Sequence, residues 1–396
     1  MLCETWSKPE SAISLTGSNI SSGAEVSNIS LPDSHSPELT LSYPSLDECT
    51  TIWTHTSASW IDSLTLPLYL KESKFLTTVP LAKDGGMTIW ILVNKNLPPG
   101  KRQVLCSCET FRKRSLTSDS EGNVRENIFR GHGYPQRMMR ELSKELFTWQ
   151  TNGTPCTYYA KLGWHPNASN SHVEFQPQSN PKSSLVADVL MKDLAKLCKR
   201  DEMLVRQAMA TPTTEANLRV TIIPDIDHMG WHLAKEDFAC DYLFGKIPQV
   251  KGAIVGSPGS QVWALWTHRY YGRHDVEPSD NVLYILRLVM ETDRTATRLP
   301  SDANQRLPEE KYQEQMQYLK AVLEAAQTEA FDWKLDVVKL WDPTPQVQDM
   351  LAQSGMEYEV VEREEDSIAS GYWYDETGGV NESVPLWVNN EHYAWL

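Results

Sequence analysis

The chain has 396 residues, 40% of them apolar, and a formal net charge of −15. That length accommodates two domains, and the negative charge argues against a nucleic-acid partner, because phosphate binding needs clustered lysine and arginine. No run is long and apolar enough to cross a membrane, and no basic region followed by an apolar stretch is visible at the N-terminus. With seven cysteines in no disulfide-like spacing, the expected compartment is the reducing cytoplasm.

Residues 1–37 are dominated by Ser, Thr, Asn, Pro and Gly and read as a disordered tail. Leu39–Tyr43 alternates as a strand does, and Ser59–Phe75 reads as a helical region broken at Pro67. Thr88–Val93 and Val104–Arg114 are the next strands. The loop between them contains Pro98-Pro99-Gly100, so an antiparallel hairpin is expected. Then comes Arg130-Gly131-His132-Gly133-Tyr134-Pro135-Gln136, opening on an amphipathic helix over Gln136–Gln150 with Met138, Met139, Leu142, Leu146 and Trp149 on one stripe. Two glycines let the backbone N–H groups approach an anion, and the helix aims its positive end at the same place. Pro135 suits the first helical position but removes one N–H from the cradle. Such a turn also serves as a plain αβ connection. A helical end at Tyr158–Leu162 follows, then a helical connector over 183–209 with Leu185, Val189, Leu194, Leu197 and Cys198 on its buried side.

In the second half, Ala253–Val255 and Val262–His268 flank Gly256-Ser257-Pro258-Gly259-Ser260 as a second hairpin. Val282–Met290 is a strongly apolar strand, and residues 308–331 form a long amphipathic helix. A strand at Val337–Trp341, a helix through Val347, Met350 and Leu351, a turn at Gly355 and a strand at Tyr358–Glu362 complete the order. This repeats the pattern of the first half without its glycine pair. It reads either as a degenerate second copy that shapes the substrate side or as an unrelated α/β domain.

The Arg-Gly-x-Gly turn followed by Tyr159-Ala160-Lys161-Leu162-Gly163-Trp164 resembles the GCN5-related N-acetyltransferase (GNAT) superfamily. Asp84–Val93, Cys106–Arg114, Tyr159–Pro166, Lys251–Val255, Val262–Thr267 and Glu362–Ile368 look like its fungal lysine N6-acetyltransferase family. The resemblance implies an α/β (α+β) fold, with a GNAT-like mixed sheet over 38–182, the connector over 183–210 and a degenerate GNAT-like lobe over 211–396. It implies an acetyl-CoA-dependent N-acetyltransferase acting on a free amine of lysine or a lysine-like small molecule. Arg130, Gly131, His132, Gly133, Tyr134, Pro135 and Gln136 match the family's cofactor cradle, and Tyr159 matches its thiolate-protonating tyrosine. A phenol suits that role because it donates a proton while neutral at pH 7. Tyr159 also reads as a packing aromatic on its helix.

An ammonium with a pKa near ~10.4 needs a base to release its proton. Glu109, in the middle of the second hairpin strand, is the candidate. Two features depart from the family pattern. Only Val124–Phe129 stands where a full strand precedes the glycine turn, and Thr151-Asn152-Gly153-Thr154-Pro155 replaces a strand that carries the pantetheine arm. They leave open a catalytically impaired protein, or an incomplete gene product, with at most weak CoA binding. His228 and His232 have a His-x3-His spacing but lack a zincin glutamate, so no metal is expected.

Overall fold

The computed structural model describes residues 36–128, 165–167, 170–179, 181, 183–214, 216–276, 279–292, 307–364, 367–371 and 384–396. Strand β1 (Leu39–Ser42) pairs antiparallel with β2 (Met87–Asn94), and β2 pairs with β3 (Cys106–Phe111), so the expected first hairpin forms. Helix α1 (Leu46–Trp60) starts at a capping box: Ser45 Oγ accepts from the Glu48 N–H at 3.3 Å and Glu48 Oε2 accepts from the Ser45 N–H at 2.7 Å. Arg102, from the hairpin loop, donates to the same carboxylate at 2.8 Å and holds its pKa down at about 2. The loop is thereby tied to the start of α1.

Three sequence expectations change here. Ser59–Phe75 is not one broken helix. A second helix, α2 (Leu66–Leu76), begins there with Pro67 in its first turn, where a missing N–H costs no helical bond. Val104–Arg114 is not one strand either. After β3 the chain steps through Arg112 and Lys113 into β4 (Arg114–Asp119), which belongs to another sheet. The buried Lys113 ammonium, bonded to the Ala394 carbonyl, anchors that step. Finally, the stretch expected to be too short for a strand forms one, β5 (Val124–Ile128), antiparallel to β4. The second gap, at Thr151–Pro155, lies outside the described residues.

Beyond it lie β6 (His165–Pro166), β7 (Ser171–Phe175) and β8 (Ala187–Leu190). The connector expected to be helical from 183 thus opens as a strand. Helix α3 (Met191–Met209) starts where Asp193 accepts from the Leu190 N–H at 3.0 Å. Strand β9 (Leu218–Ile222) pairs with β4, and α4 (Ile226–Phe244) follows, capped by Asp225 and ended by Gly245 at φ 65. The remaining elements are β10 (Val250–Val255), β11 (Val262–Arg269), β12 (Val282–Met290), α5 (Glu309–Asp332), β13 (Val337–Trp341), α6 (Pro345–Ser354), β14 (Glu359–Glu362), β15 (Ser370–Gly371) and β16 (Leu386–Trp387). The order expected for the second half is therefore present.

These strands build a seven-stranded sheet in the order β14-β7-β13-β12-β11-β10-β8 and a four-stranded sheet in the order β16-β9-β4-β5. Alternation along β11 sends Ala264 and Trp266 to one face, against Leu319 and Leu323 of α5, and Trp263 and Leu265 to the other, with Tyr393. Both faces are covered, which is why β11 and β12 read as continuous apolar runs.

Strand β12 pairs with β11 along its whole length but with its parallel neighbour β13 only over Val282–Ile285. Past Ile285 the two strands part, and the C-terminal segment enters the gap. Glu391 Oε2 accepts from the Leu288 N–H at 3.0 Å, and Asp342, just beyond β13, accepts from the Asn390 N–H at 3.0 Å. Arg287 fixes this plug: its guanidinium grips Asp201 of α3 through two bonds of 2.8 Å and donates to Glu391 Oε1 at 2.7 Å.

Burial lifts the Glu391 carboxyl to about 7, although Arg287 pulls the other way. The folded pKa lies above the unfolded one. Glu391 therefore adds its full stability below about pH 4.5 and loses it as pH rises toward 7. Thermal unfolding of the wild type should lose Tm across that window more steeply than Glu391→Gln does. Parallel slopes would show that Glu391 does not titrate there.

Candidate active site

A cavity of about 440 Å³ lies between α1, α2 and β3 on one side and α4, β11, β12 and the C-terminal segment on the other. That is the size of a small-molecule site. Its walls are strongly aromatic, with Trp53, Trp60 and Tyr69 from the first helices facing Trp231, Tyr284 and Trp395.

Glu109 points into this cavity. It is the exposed member of β3, and the space it faces is this cavity. Desolvation accordingly raises its pKa above the ordinary carboxylate value, opposed by a Trp53 Nε1 hydrogen bond of 3.4 Å and by the charge of Lys235. This is the environment that tunes a carboxylate toward accepting protons near neutral pH.

The opposite polar group joins the two halves of the chain. Lys235 Nζ of α4 lies 3.3 Å from Glu72 of α2 and 3.6 Å from Asp62, and Arg269 at the end of β11 reaches the same Asp62 oxygen at 2.8 Å. Arg269 also lies over the Tyr271 ring, 5.2 Å from its centre. Tyr271 and Tyr284 share a hydroxyl–hydroxyl bond of 3.0 Å, and His392 stacks on Tyr284 at 3.8 Å. Burial keeps His392 neutral, with its pKa well below the usual histidine value. Deeper in, Glu236 binds Lys251 and His268, and His268 Nε2 meets Glu329 at 3.1 Å. Burial works against a charge on His268, but the two carboxylates outweigh it and raise its pKa.

Of the candidate catalytic and cofactor-binding residues, Glu109 alone falls among those described. Arg130, Gly131, His132, Gly133, Tyr134, Pro135, Gln136 and Tyr159 lie outside them. The two histidines of the His-x3-His pair have separate hydrogen-bond partners. His228 Nδ1 is 2.7 Å from Asp225, and His232 Nε2 donates to the Tyr393 carbonyl at 3.3 Å. Burial lowers the His232 pKa to about 3, and that residue lines the cavity instead. Among the described residues no group of three His, Cys, Asp or Glu side chains could hold a metal ion, and no helix is long and apolar enough to cross a membrane. Lys235, Arg269 and His392 were missed from sequence, because nothing local marks residues that meet only across the fold.

Residues 172–396, more than half the chain, match the family described as the LYC1 GNAT-like C-terminal domain. The chain belongs to that GNAT-like family. Solved structures give distant likenesses. A GCN5-related N-acetyltransferase from Anabaena variabilis shares 10% identity over 84% of this chain and 72% of its own, with a TM-score of 0.41. One from Kribbella flavida shares 12% over 82% and 69%, with a TM-score of 0.38. The Saccharomyces cerevisiae N-myristoyltransferase with bound myristoyl-CoA shares 9% over 91% and 90%, with a TM-score of 0.39. The assignment rests on the family match and not on these. No curated protein matches the chain.

Because desolvation opposes a charge on Glu109, Glu109→Gln should raise Tm relative to wild type, and by more at pH 8 than at pH 4, where protonation relieves that charge. A gain independent of pH would mean that Glu109 is not strained by its charge.

Proposed function

We propose that the protein is an N-acetyltransferase that transfers an acetyl group from acetyl-CoA to the free amine of lysine or a lysine-like small molecule. One observation carries this reading: a carboxylate with a raised pKa faces an aromatic cavity of small-molecule size. Membership of a GNAT-like family supports it.

In this reading Arg130, the Gly131 and Gly133 amides and the helix beginning near Gln136 hold the pyrophosphate of acetyl-CoA. Glu109 takes one proton from the substrate ammonium, directly or through a water. The amine nitrogen then bonds to the thioester carbon and the carbon–sulfur bond breaks. Tyr159 gives the thiolate its proton and is reprotonated from the nitrogen, so one proton in total leaves with the products. The aromatic walls exclude water and face the substrate cation with their π surfaces. They suit a free small amine better than a lysine on a folded protein surface.

Purified protein incubated with acetyl-CoA and L-lysine should release CoA thiol and yield N6-acetyllysine. Glu109→Gln should lower kcat by about 10²–10⁴-fold and remove the acid limb of the pH profile. That limb should lie above the usual carboxylate range in the wild type. No thiol above background across a panel of amines would reject the reading.

A further inference from the structure

The polar end of the cavity holds more hydrogen-bond donors than the protein uses. A guanidinium has five N–H donors and an ammonium three. The Arg269 side chain spends Nη2 on Asp62 at 2.8 Å, its Nε is buried away from the cavity, and no other side-chain hydrogen bond or ion pair joins it to the described residues, which leaves Nη1 uncommitted. Lys235 has two oxygen neighbours at 3.3 and 3.6 Å, both longer than the ~2.7–2.9 Å of a good charge-assisted bond. Both side chains line the cavity and are only 21% and 17% exposed. Facing the same space, Glu109 accepts a single long bond, from Trp53 at 3.4 Å. Uncommitted donors and an acceptor lining the same cavity are complementary to a molecule that carries both an anion and an ammonium.

We propose that Arg269 and Lys235 form an anion subsite that takes the carboxylate of the amine substrate, so that the enzyme selects amino acids over polyamines and arylamines. The inference rests on the reading of this cavity as the amine site. A carboxylate fits better than a phosphate. Asp62 and Glu72 already balance the two cations, so the cluster offers a ligand hydrogen-bond donors rather than surplus positive charge, which opposes a dianion more than a monoanion. A carboxylate can also use its two oxygens at once, one on Arg269 Nη1 and one on the Lys235 ammonium. Asp62 keeps a second role in this arrangement. By holding Nη2 it fixes the plane of Arg269, leaving Nη1 for the ligand.

The test compares L-lysine with cadaverine, the same diamine chain without a carboxylate. Binding is read first, without catalysis: millimolar L-lysine should raise the Tm of the intact protein well above the shift given by cadaverine, through binding to the native state alone. Arg269→Gln and Lys235→Met should each erase that difference. In turnover, the kcat/KM ratio of lysine to cadaverine should fall by about 10–100-fold in Arg269→Gln, the range expected for a lost hydrogen bond to a charged group. Wild-type protein that binds and acetylates cadaverine as well as lysine would overturn the subsite. So would a variant in which both substrates decline in proportion, since that marks a purely structural role. If the wild type acetylates no amine but lysine still raises Tm in an Arg269-dependent way, the acetyltransferase reading fails and the subsite stands.

Discussion

Arg287 sits in the middle of β12 with its guanidinium buried, between Asp201 of α3 and Glu391 of the C-terminal segment. Taking three charged groups out of water is expensive, and it is tolerable only when each finds its hydrogen bonds. Here they do. Asp201 receives two parallel bonds from the guanidinium, and Glu391 receives one from Arg287 and one from the Leu288 N–H. Arginine suits this position because its fork is planar and serves two carboxylates at once, which an ammonium cannot do with the same geometry. The interaction closes the opening between β12 and β13, where the backbone N–H of Leu288 would otherwise be buried without a partner.

The same closure builds the cavity. With Glu391 held, the next residues are placed in sequence: His392 stacks on Tyr284, Tyr393 donates to the Ile222 carbonyl at 2.6 Å, and Trp395 bonds Asn390 at 3.1 Å. Strand β16, just upstream, runs parallel to β9 and links the segment to the four-stranded sheet. One short stretch of chain therefore fills the gap between β12 and β13, extends the four-stranded sheet and supplies aromatic lining to the cavity. The second lobe contributes shape and charge, through Lys235, Arg269 and Tyr284, while the carboxylate that faces the cavity comes from the first.

Much of the second half was legible in the sequence because its signals are local and periodic. Gly256 and Gly259 mark a turn with φ of 92 and 96, the apolar run Val282–Met290 is a strand buried on both faces, and Leu319, Leu323, Ala326 and Ala330 recur at helical spacing. Glu109 was singled out from its place in the middle of a hairpin strand, with Cys108 and Thr110 directed to the opposite face. The cavity it faces is formed only by packing against α4 and the C-terminal segment. The C-terminal segment itself was not legible. A two-residue strand and a single 3-10 turn carry no periodicity, and their worth lies in contacts with β9, β12 and α4. For the same reason the Asp62–Lys235–Arg269 group escaped notice: its members lie on separate elements and meet only when the two halves pack. The misread strand at Val104–Arg114 has a different cause. Its alternation continues through Arg112 and Lys113, and only the bond from Lys113 to the distant Ala394 carbonyl marks the step between sheets.

The most direct test of the account is a crystal structure of the protein with CoA and L-lysine bound together. The account places the side-chain ammonium of lysine within hydrogen-bond reach of Glu109, between Trp53 and the aromatic wall of α4, with its carboxylate against Arg269. Lysine bound outside the cavity, or inside it with its carboxylate toward Glu109, would contradict the assignment of this space as the amine site.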